Sequence, residues 1–458
     1  MVADIAARRR TSLHGEWSSR FAFILAVAGS AVGLGNIWKF PYIAGENGGG
    51  AFVLFYLFCV FLIGLPIMMA EILIGRRGRR NPAATMRLLG QEESGNGAWG
   101  VVGIVGVFCG VLILSYYSVI AGWALAYVLE GASGVFTGAD ATAVGAVFSG
   151  MAGSWLTTGF WHTVFMAMTI GVVAKGVERG LENAVRVLMP ALIGLLLVLL
   201  GYSMIAGDFA GGLDFMFAPR FSELTREGAL IALGHSFFTL SVGMGAVMAY
   251  GAYLPDEHSI GRTSIAIVAA DTAVAILAGL VIFPIVFANG LDPATGPGLI
   301  FQSLPLAFGQ LPGGRIVAAL FFVLLTFAAW TSAISIIEPG VAWLMETWGL
   351  SRKRAAWSLG GAIWFFGFLS VLSFNLLSEV TFFRGTFFDN LDFLTSNILL
   401  PLGGLAIVIF AGWVMCRNST AEEIDPAAGG GYRLWRFLAR YAAPVAVVMI
   451  FLNAIGVF

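Results

Sequence analysis

Charged residues are scarce in this chain. Asp, Glu, Lys and Arg together make up 11% of its 458 residues, whereas 59% of the residues are hydrophobic. Soluble domains are usually roughly 45 to 50% apolar, so a soluble globular protein is excluded. The net charge of −1 and short basic clusters such as RRGRR at 76–80 give no surface for a nucleic acid. The composition therefore indicates an integral protein of the lipid bilayer.

Cysteine is also rare. Cys59, Cys109 and Cys416 lie far apart in apolar segments, without the spacing of a disulfide framework or a zinc site. The sequence contains no HExxH, P-loop, dinucleotide fingerprint or Ser-His-Asp pattern, and these absences argue against an enzyme. We expect His162 and His258 to lie near membrane edges, in contact with water.

Long apolar runs are abundant, and a membrane-spanning helix needs about 20 apolar residues. Eleven such runs centre near residues 32, 63, 115, 166, 194, 238, 276, 330, 364, 402 and 446. A cytoplasmic N-terminus places the basic clusters inside and the 131–158 loop, which has no Lys or Arg, outside, as the positive-inside rule requires. The odd number of helices then leaves the C-terminus outside.

Two of these runs are interrupted by similar glycine-containing segments, AVGLGN at 31–36 and SVGMGA at 241–246. Glycine weakens a helix, and unwound backbone inside a membrane is tolerated only against protein, a cavity or an ion. Close helix packing through small residues is the alternative. The segments lie five helices apart, one running outward and one inward, which favours an inverted repeat with a central site for ions and a small zwitterion. Polar residues flank both interruptions: Ser30, Asn36, Thr239 and Ser241.

Four motifs carry a resemblance to a known family: GSAVGLGNIWKFPYIAGENGGGAF (29–52), KGVER (175–179), FFTLSVGMGA (237–246) and TSAISIIEP (331–339). They resemble the signatures of the neurotransmitter:sodium symporter family, and the likeness covers roughly residues 14–450. The chain is most similar to eleven-helix bacterial members that carry hydrophobic amino acids. The resemblance implies an all-α membrane protein of eleven transmembrane helices, with an inverted 5+5 repeat, discontinuous helices 1 and 6, and an extra helix 11.

The resemblance also predicts the domain organisation and the function. We expect a cytoplasmic tail (1–20), helices 1–5 (21–207), helices 6–10 (208–416), and a cytoplasmic loop with helix 11 (417–458). The implied function is sodium-coupled import of a neutral, hydrophobic or aromatic, L-amino acid by alternating access, across a bacterial inner membrane and by a monomer. A sodium-conducting channel and a non-transporting amino acid sensor are the alternatives. A membrane-embedded hydrolase would need a base near its nucleophile, which the motifs lack.

The implied cosubstrate is Na⁺, a hard cation that prefers oxygen ligands. By similarity, the first sodium site uses the carbonyl of Ala31 and the side chains of Asn36, Thr239 and Asp271, completed by the substrate carboxylate. The second site uses the carbonyls of Gly29, Val32 and Ala328 and the hydroxyls of Thr331 and Ser332. For a Thr-Ser pair in a membrane helix, hydrogen bonds to the preceding helical turn are the alternative. In many animal members chloride supplies a negative charge near the first sodium; Asp271 implies that this chain does not need it.

The resemblance assigns the substrate site to the two interruptions. Amides near Leu34 and Gly35 suit a carboxylate, while freed carbonyls near Ala31, Phe238 and Thr239 suit an ammonium group. Tyr117 is the implied hydroxyl donor to the carboxylate. The side-chain pocket is assigned to Ser30, Ile113, Phe238, Ser241, Met244, Ser332 and Ile336. This lining has no charged side chain, so we expect charged amino acids to be excluded.

Further charged and aromatic residues are assigned to gates. Lys39 and Asp392 are placed at the outer side of the site, where together they could close it. At the inner side, relatives carry an arginine three residues before the tryptophan that matches Trp17, and this arginine pairs with an acid of helix 8. Here that position holds His14 and the acid is Glu346. Nearby arginines, Arg8, Arg9 or Arg10, are the alternative partners of the acid.

Overall fold

The computed structural model describes residues 10–294, 298–425 and 429–457. Within these ranges the regular structure is helical, apart from one isolated bridge between Phe382 and Gly385. Helices are expected because backbone crossing a lipid bilayer must satisfy its own polar groups. Arg8 and Arg9 lie outside the described residues, so only Arg10 of the three nearby arginines can be placed.

Eight helices form the first half of the chain, and several contain a π-helical turn. They are α1 (Arg20–Ala31), α2 (Gly35–Glu46), α3 (Gly50–Gly78), α4 (Pro82–Ser94), α5 (Gly97–Ser133), α6 (Ala141–Ala152), α7 (Trp155–Val173) and α8 (Val177–Ala206).

Ten helices follow in the second half of the described chain. They are α9 (Phe209–Phe217), α10 (Arg226–Thr239), α11 (Ala246–Gly251), α12 (Ile260–Ala288), α13 (Leu304–Gln310), α14 (Gly314–Trp348), α15 (Arg352–Ser373), α16 (Phe387–Val414), α17 (Arg417–Ile424) and α18 (Gly430–Asn453).

The helix lengths agree with a protein that crosses the membrane many times. Among the described residues, nine helices are long and apolar enough to span a bilayer, and α1 with α2, bent by 50° at their junction, raises the number to ten. The run predicted near residue 238 is divided between α10, with 14 residues, and α11, with six. Each is shorter than a span requires, so length alone does not establish an eleventh crossing.

Local signals determine where helices begin. The Ser19 hydroxyl accepts a hydrogen bond from the amide of Ala22 at 3.1 Å and so caps α1. At α4, Asn81 caps in the same way and Pro82, which has no amide to leave unsatisfied, occupies the first turn. The sequence reading missed α4 and the other short helices because their apolar patterns are too brief for a span.

The long helix α14 lies at the centre of the molecule, where most of its residues are buried, and it packs against α1 and α5. The prediction that His162 contacts water is wrong. Its side chain is buried between α7 and α15, with Nε2 3.1 Å from the carbonyl oxygen of Trp364. The apolar sequence around it could not distinguish a buried polar contact from a membrane edge.

Candidate functional site

The first interruption separates α1 from α2 at residues 32–34. The freed amides are satisfied by side chains: the amide of Gly33 donates to Oδ1 of Asn36 at 2.9 Å, and the amide of Leu34 donates to the Tyr117 hydroxyl at 3.3 Å. A Cβ at Gly33 would clash with the Ser332 hydroxyl oxygen and lie 3.0 Å from the Tyr117 hydroxyl oxygen, so this close approach favours glycine.

The second interruption, between α10 and α11, contains three residues in the left-handed region: Ser241 with φ 53°, Gly243 with φ 94° and Gly245 with φ 79°. The buried Glu71 carboxylate accepts hydrogen bonds from the amides of Gly243 at 2.5 Å and Met248 at 3.2 Å. Its partners are backbone amides, so Glu71 stabilises the unwound segment rather than lining a pore.

The two interruptions meet at the centre of the molecule. The Ser241 hydroxyl donates to the carbonyl of Ser30 at 3.0 Å. The Ser332 hydroxyl lies within hydrogen-bond distance of the carbonyls of Gly29 (3.4 Å), Ser30 (3.1 Å) and Val32 (3.2 Å). The unwound backbone therefore faces protein polar groups, as expected inside a membrane.

A cluster of oxygen-bearing side chains lies beside the first interruption. The Asn36 amide nitrogen is 2.7 Å from Oδ1 of Asp271 and 3.1 Å from the Thr239 hydroxyl, which is itself 3.2 Å from both Asp271 oxygens. All three side chains are at most 1% exposed. Within the described ranges Asp271 has no cationic partner. Burying a carboxylate without a positive partner costs free energy. A group of oxygen atoms that includes a carboxylate suits a hard cation.

A second group of oxygens lies between α1 and α14. Ser332 reaches across to α1, as described above, whereas the Thr331 hydroxyl donates within its own helix to the carbonyls of Phe327 at 3.1 Å and Ala328 at 3.0 Å. The Thr331 hydroxyl thus bonds to the preceding turn of its own helix, which was the alternative to a sodium ligand. Thr331 nevertheless lies close to α1, because a Cβ at Gly29 would be 3.4 Å from the Cβ of Thr331. The predicted ligands are brought together.

A small cavity of about 20 Å³ occupies the space between the interruptions. Its lining includes ten of the twelve predicted substrate residues, Ala31, Leu34, Gly35, Ile113, Tyr117, Phe238, Ser241, Met244, Ser332 and Ile336. The other two, Ser30 and Thr239, are not part of the lining. A volume of this size holds about one water molecule, so an amino acid side chain requires the wall to move.

A second cavity, of about 390 Å³, lies on the other side of Leu34, Tyr117 and Phe238, which line both cavities. Lys39 and Asp392 line this second cavity, on the predicted outer side, but form no direct ion pair in the part of the chain that the structure describes. The Lys39 ammonium instead lies 4.4 Å from the centre of the Phe238 ring. The aromatic ring, more than the charge pair, separates the two cavities.

The opposite side of the site is closed by the N-terminal segment. Nε2 of His14 lies 2.8 Å from Oε1 of Glu346, as the sequence predicted. Trp17 is 2% exposed, with its amide donating to the carbonyl of Tyr253 at 3.1 Å and its indole to the carbonyl of Tyr250 at 3.3 Å. His14, Trp17 and Glu346 do not line the cavity between the interruptions.

Sequence reasoning missed three residues of this region. Gly33 and Leu400 line the central cavity, and Asn81 donates its amide and side-chain nitrogens to Glu346 at 2.8 and 2.7 Å. The glycine-rich motif was a sufficient signal for Gly33. Leu400 lies in an ordinary apolar run and Asn81 lies in a loop, so nothing in the sequence indicated that either residue belongs to this region.

Comparison with known proteins gives consistent matches over almost the whole chain. The model of the sodium:neurotransmitter symporter family matches residues 14–140 and 153–458. The uncharacterized sodium-dependent transporter YhdH of Bacillus subtilis is 39% identical over 96% of this chain and 98% of its own length. An uncharacterized sodium-dependent transporter of Haemophilus influenzae is 32% identical over 95% and 97%. The crystal structure of MhsT in complex with L-phenylalanine superposes with a TM-score of 0.89 at 43% identity, covering 96% of this chain and 99% of MhsT.

Proposed function

The chain belongs to the sodium:neurotransmitter symporter family, a family of sodium-coupled transporters and not of enzymes, and we propose that it imports a neutral, hydrophobic or aromatic, L-amino acid together with Na⁺. It is a multi-pass membrane protein of the family fold. The observation that carries the proposal is the buried Asp271 carboxylate, held by Asn36 and Thr239 beside unwound backbone. The phenylalanine bound by MhsT supports an amino acid as the substrate.

The first sodium ion is proposed to bind among Asn36, Thr239 and Asp271, with the carbonyl of Ala31 as a further ligand. The side chains of Asn36, Thr239 and Asp271 lie within 3.2 Å of one another, and the carboxylate would balance the charge of the ion. The hydrogen bond from Asn36 to Asp271 would be exchanged for bonds from the oxygens of both side chains to the ion.

The second sodium ion is proposed to join α1 to α14. Its ligands are the carbonyls of Gly29, Val32 and Ala328 and the hydroxyls of Thr331 and Ser332. In the structure these hydroxyls donate to carbonyls of the same set. A cation among them would reorient the hydroxyls so that their lone pairs face the ion, and it would hold α1 against α14.

The substrate is proposed to lie between the two interruptions. Its carboxylate would accept from the Tyr117 hydroxyl, which now accepts from the amide of Leu34, and its ammonium group would donate to the free carbonyls of the interruptions. Its side chain would fill the cavity next to Met244, Ile113 and Ile336. Met244 is unbranched and can adjust its shape, which suits side chains of different size.

Alternating access follows from the two sides of this site. The outer cavity, which includes Lys39 and Asp392, reaches Phe238, whereas the contacts of His14 and Trp17 close the inner side. We propose that sodium stabilises this inner-closed arrangement and that substrate completes the shell of the first ion. Release inward then requires the N-terminal segment and α1 to leave α14.

The proposed topology has eleven spans, with α1 and α2 forming the first and α10 and α11 the sixth, each interrupted at the site. Helices 1–5 (21–207) and 6–10 (208–416) form the inverted repeat, and residues 417–458 contain a cytoplasmic loop followed by helix 11. The N-terminus (1–20) is placed in the cytoplasm of a bacterium and the C-terminus outside. A monomer contains every proposed ligand.

The test is binding of a tritiated neutral amino acid to the purified protein with sodium or potassium, competed by all twenty amino acids, followed by uptake into vesicles. We expect binding only with sodium, and uptake driven by a sodium gradient. Single-channel currents without amino acid would indicate a channel instead. Sodium-dependent binding without uptake would indicate a sensor, and binding that does not depend on sodium would overturn the proposal.

A further inference from the structure

A groove of about 900 Å³ lies on the proposed cytoplasmic side, between the N-terminal segment, α4, α5 and α14. We call it the α4 groove. One wall is apolar: Leu13, Val101 and Ile104 line it and are 61%, 59% and 49% exposed. Val101 and Ile104 belong to the first two turns of the spanning helix α5, where exposed apolar side chains face the edge of the bilayer.

The other wall carries surplus positive charge. The charged residues among the described lining are Arg80, Arg87 and Glu346. Both Glu346 oxygens are already occupied, Oε1 by His14 and the Asn81 amide and Oε2 by the Asn81 side chain. Arg80 uses only Nη1, on backbone carbonyls, and Arg87 is exposed without a partner in the described ranges. Two guanidinium groups therefore remain for an anion, and their planar donor edges match phosphate.

Packing fixes the cationic and apolar walls next to each other. The stem of Arg87 rests on the beginning of α5, since a Cβ at Gly100 would lie 3.0 Å from the Cβ of Arg87. Val101 is the following residue. Trp343, which also lines the groove, is of the type that concentrates at the membrane–water interface. Arg87 and Val101, one a partner for an anion and the other for a hydrocarbon chain, thus lie next to each other along the groove.

We propose that the α4 groove binds an anionic phospholipid of the cytoplasmic leaflet, with its phosphate between Arg80 and Arg87 and an acyl chain over Val101 and Ile104, and that this lipid stabilises the closed inner side. The lipid site rests on the proposed membrane orientation, and its effect on the inner side rests on the proposed transport function.

The link to the inner side runs through the N-terminal segment. Nη1 of Arg80 donates to the carbonyl of Thr11 at 3.1 Å, and Leu13 lines the groove directly before His14, which contacts Glu346. When the segment leaves, the groove loses the Leu13 wall and Arg80 loses one partner. A lipid that prefers the complete groove must shift the equilibrium toward the arrangement that contains it.

Lipid selectivity can be measured on the full chain without sodium or amino acid, by native mass spectrometry with dioleoyl phosphatidylglycerol and dioleoyl phosphatidylcholine. We expect phosphatidylglycerol to be retained preferentially. Arg80→Gln and Arg87→Gln should each weaken its binding about fivefold, the effect of one basic group near an anionic surface. Arg87→Lys, which keeps the charge, should retain most of the binding.

Arg354→Gln is the matched control, because Arg354 is an exposed arginine at the beginning of α15 that does not line the groove. It should leave binding unchanged. Equal binding of the two lipids, or equal losses in Arg354→Gln and Arg87→Gln, would overturn the site. Competition by glycerol 3-phosphate as effective as the lipid would indicate a free-phosphate site and also overturn it.

The effect on the inner side has its own measurement. Ala22 is buried near the beginning of α1, so a cysteine at this position should react with a maleimide only when the inner side opens. The experiment uses Ala22→Cys in a Cys416→Ser background, because Cys416 is exposed. In nanodiscs without sodium, phosphatidylglycerol should slow labelling several-fold relative to phosphatidylcholine, and Arg80→Gln should remove the difference. Equal labelling in both lipids would overturn the coupling, whereas a failure of transport alone would leave the lipid result unaffected.

Discussion

The side-chain nitrogen of Asn36 lies 2.7 Å from Oδ1 of Asp271 and donates a hydrogen bond to this buried carboxyl group. Within the described residues no cationic side chain lies beside Asp271. This relationship joins the beginning of α2, directly after the unwound segment, to the middle of α12. It places a carboxyl group where the first sodium ion is proposed to bind, and we propose that the charge of this group in the sodium-bound state makes an added anion unnecessary.

Asp271→Asn is expected to weaken sodium binding about tenfold or more, since interactions with a charged group are worth about 1.5–3 kcal/mol. Asparagine keeps the shape and one oxygen ligand but removes the negative charge. The measurement is sodium-dependent amino acid binding in chloride and in gluconate. The native protein should bind equally well in both salts, while the variant should do better in chloride.

Asp256→Asn serves as the control, because Asp256 accepts from Arg79 at 2.5 Å at the inner side, away from the central site. It should leave the sodium affinity unchanged. A native protein that is active only in chloride would contradict the assignment of Asp271.

Tyr117→Phe is expected to lower amino acid affinity about fivefold, the effect of one hydrogen bond of about 1 kcal/mol. The Tyr117 hydroxyl contacts the Leu34 amide at 3.3 Å and faces the proposed carboxylate position. Tyr127→Phe removes a similarly buried hydroxyl from the same helix, one that donates to the carbonyl of Phe301 at 3.1 Å. Competition binding should separate the two variants, and equal affinities would remove Tyr117 from the substrate site.

Selectivity should be broad among uncharged side chains. Met244, Ile113, Ile336 and Leu400 line the cavity, which must widen to admit a side chain. We expect leucine, phenylalanine and tryptophan to compete, and glutamate and lysine not to, because no counter-charge offsets their desolvation. Met244→Phe should weaken tryptophan more than leucine, since a rigid ring reduces the space. Strong competition by glutamate or lysine would contradict the proposed pocket.

The sequence was most informative where chemistry depends on backbone conformation. Glycines and polar residues inside apolar runs indicated both interruptions and the residues that meet there, because unwound backbone in a membrane demands such neighbours. Family resemblance was needed to join Asp271 and Tyr117 to the same site. Both lie in continuous helices, where periodicity does not indicate which distant segment they face.

Other features required the folded chain. The volume of the central cavity depends on how Ile113, Met244 and Leu400 pack, and a sequence gives no such distance. Lys39 was paired with Asp392 by position along two helices, but its ammonium lies over Phe238. The Glu346 contact with His14 was foreseen, whereas its two bonds from Asn81 were not, since a loop asparagine is normally solvent-exposed.

Sodium is expected to slow hydrogen exchange in the first part of α8. This helix begins with a π-helical turn at Val177–Glu182 and contains Pro190, which cannot donate to the preceding turn. Met189 packs on α1, because a Cβ at Gly29 would lie 3.1 Å from the Met189 sulfur. Loss of the second sodium ion should loosen this contact, so amides at 183–189 should exchange faster in potassium. Amides of α15 are the internal control, and equal rates in both salts would leave only a static kink.

The last prediction concerns charge at the inner side. His14 contacts Glu346 where both side chains are nearly enclosed, 4% and 8% exposed, so a permanent positive charge at position 14 would interact strongly with the carboxylate. The Tyr253 ring packs against the imidazole, and the Ser12 hydroxyl accepts a hydrogen bond from the His14 amide. A guanidinium in place of the imidazole should therefore stabilise the closed inner side.

His14→Arg should slow the opening of the inner side several-fold relative to the native protein, because arginine carries a permanent charge that attracts Glu346. Maleimide labelling of Ala26→Cys, buried in α1, follows the opening in a Cys416→Ser background. His258→Arg, which alters another histidine on the same side, is the control and should behave like the native protein. Equal labelling of the native protein and of His14→Arg would show that position 14 does not close the inner side, and the contacts of Trp17 with Tyr250 and Tyr253 would then hold it.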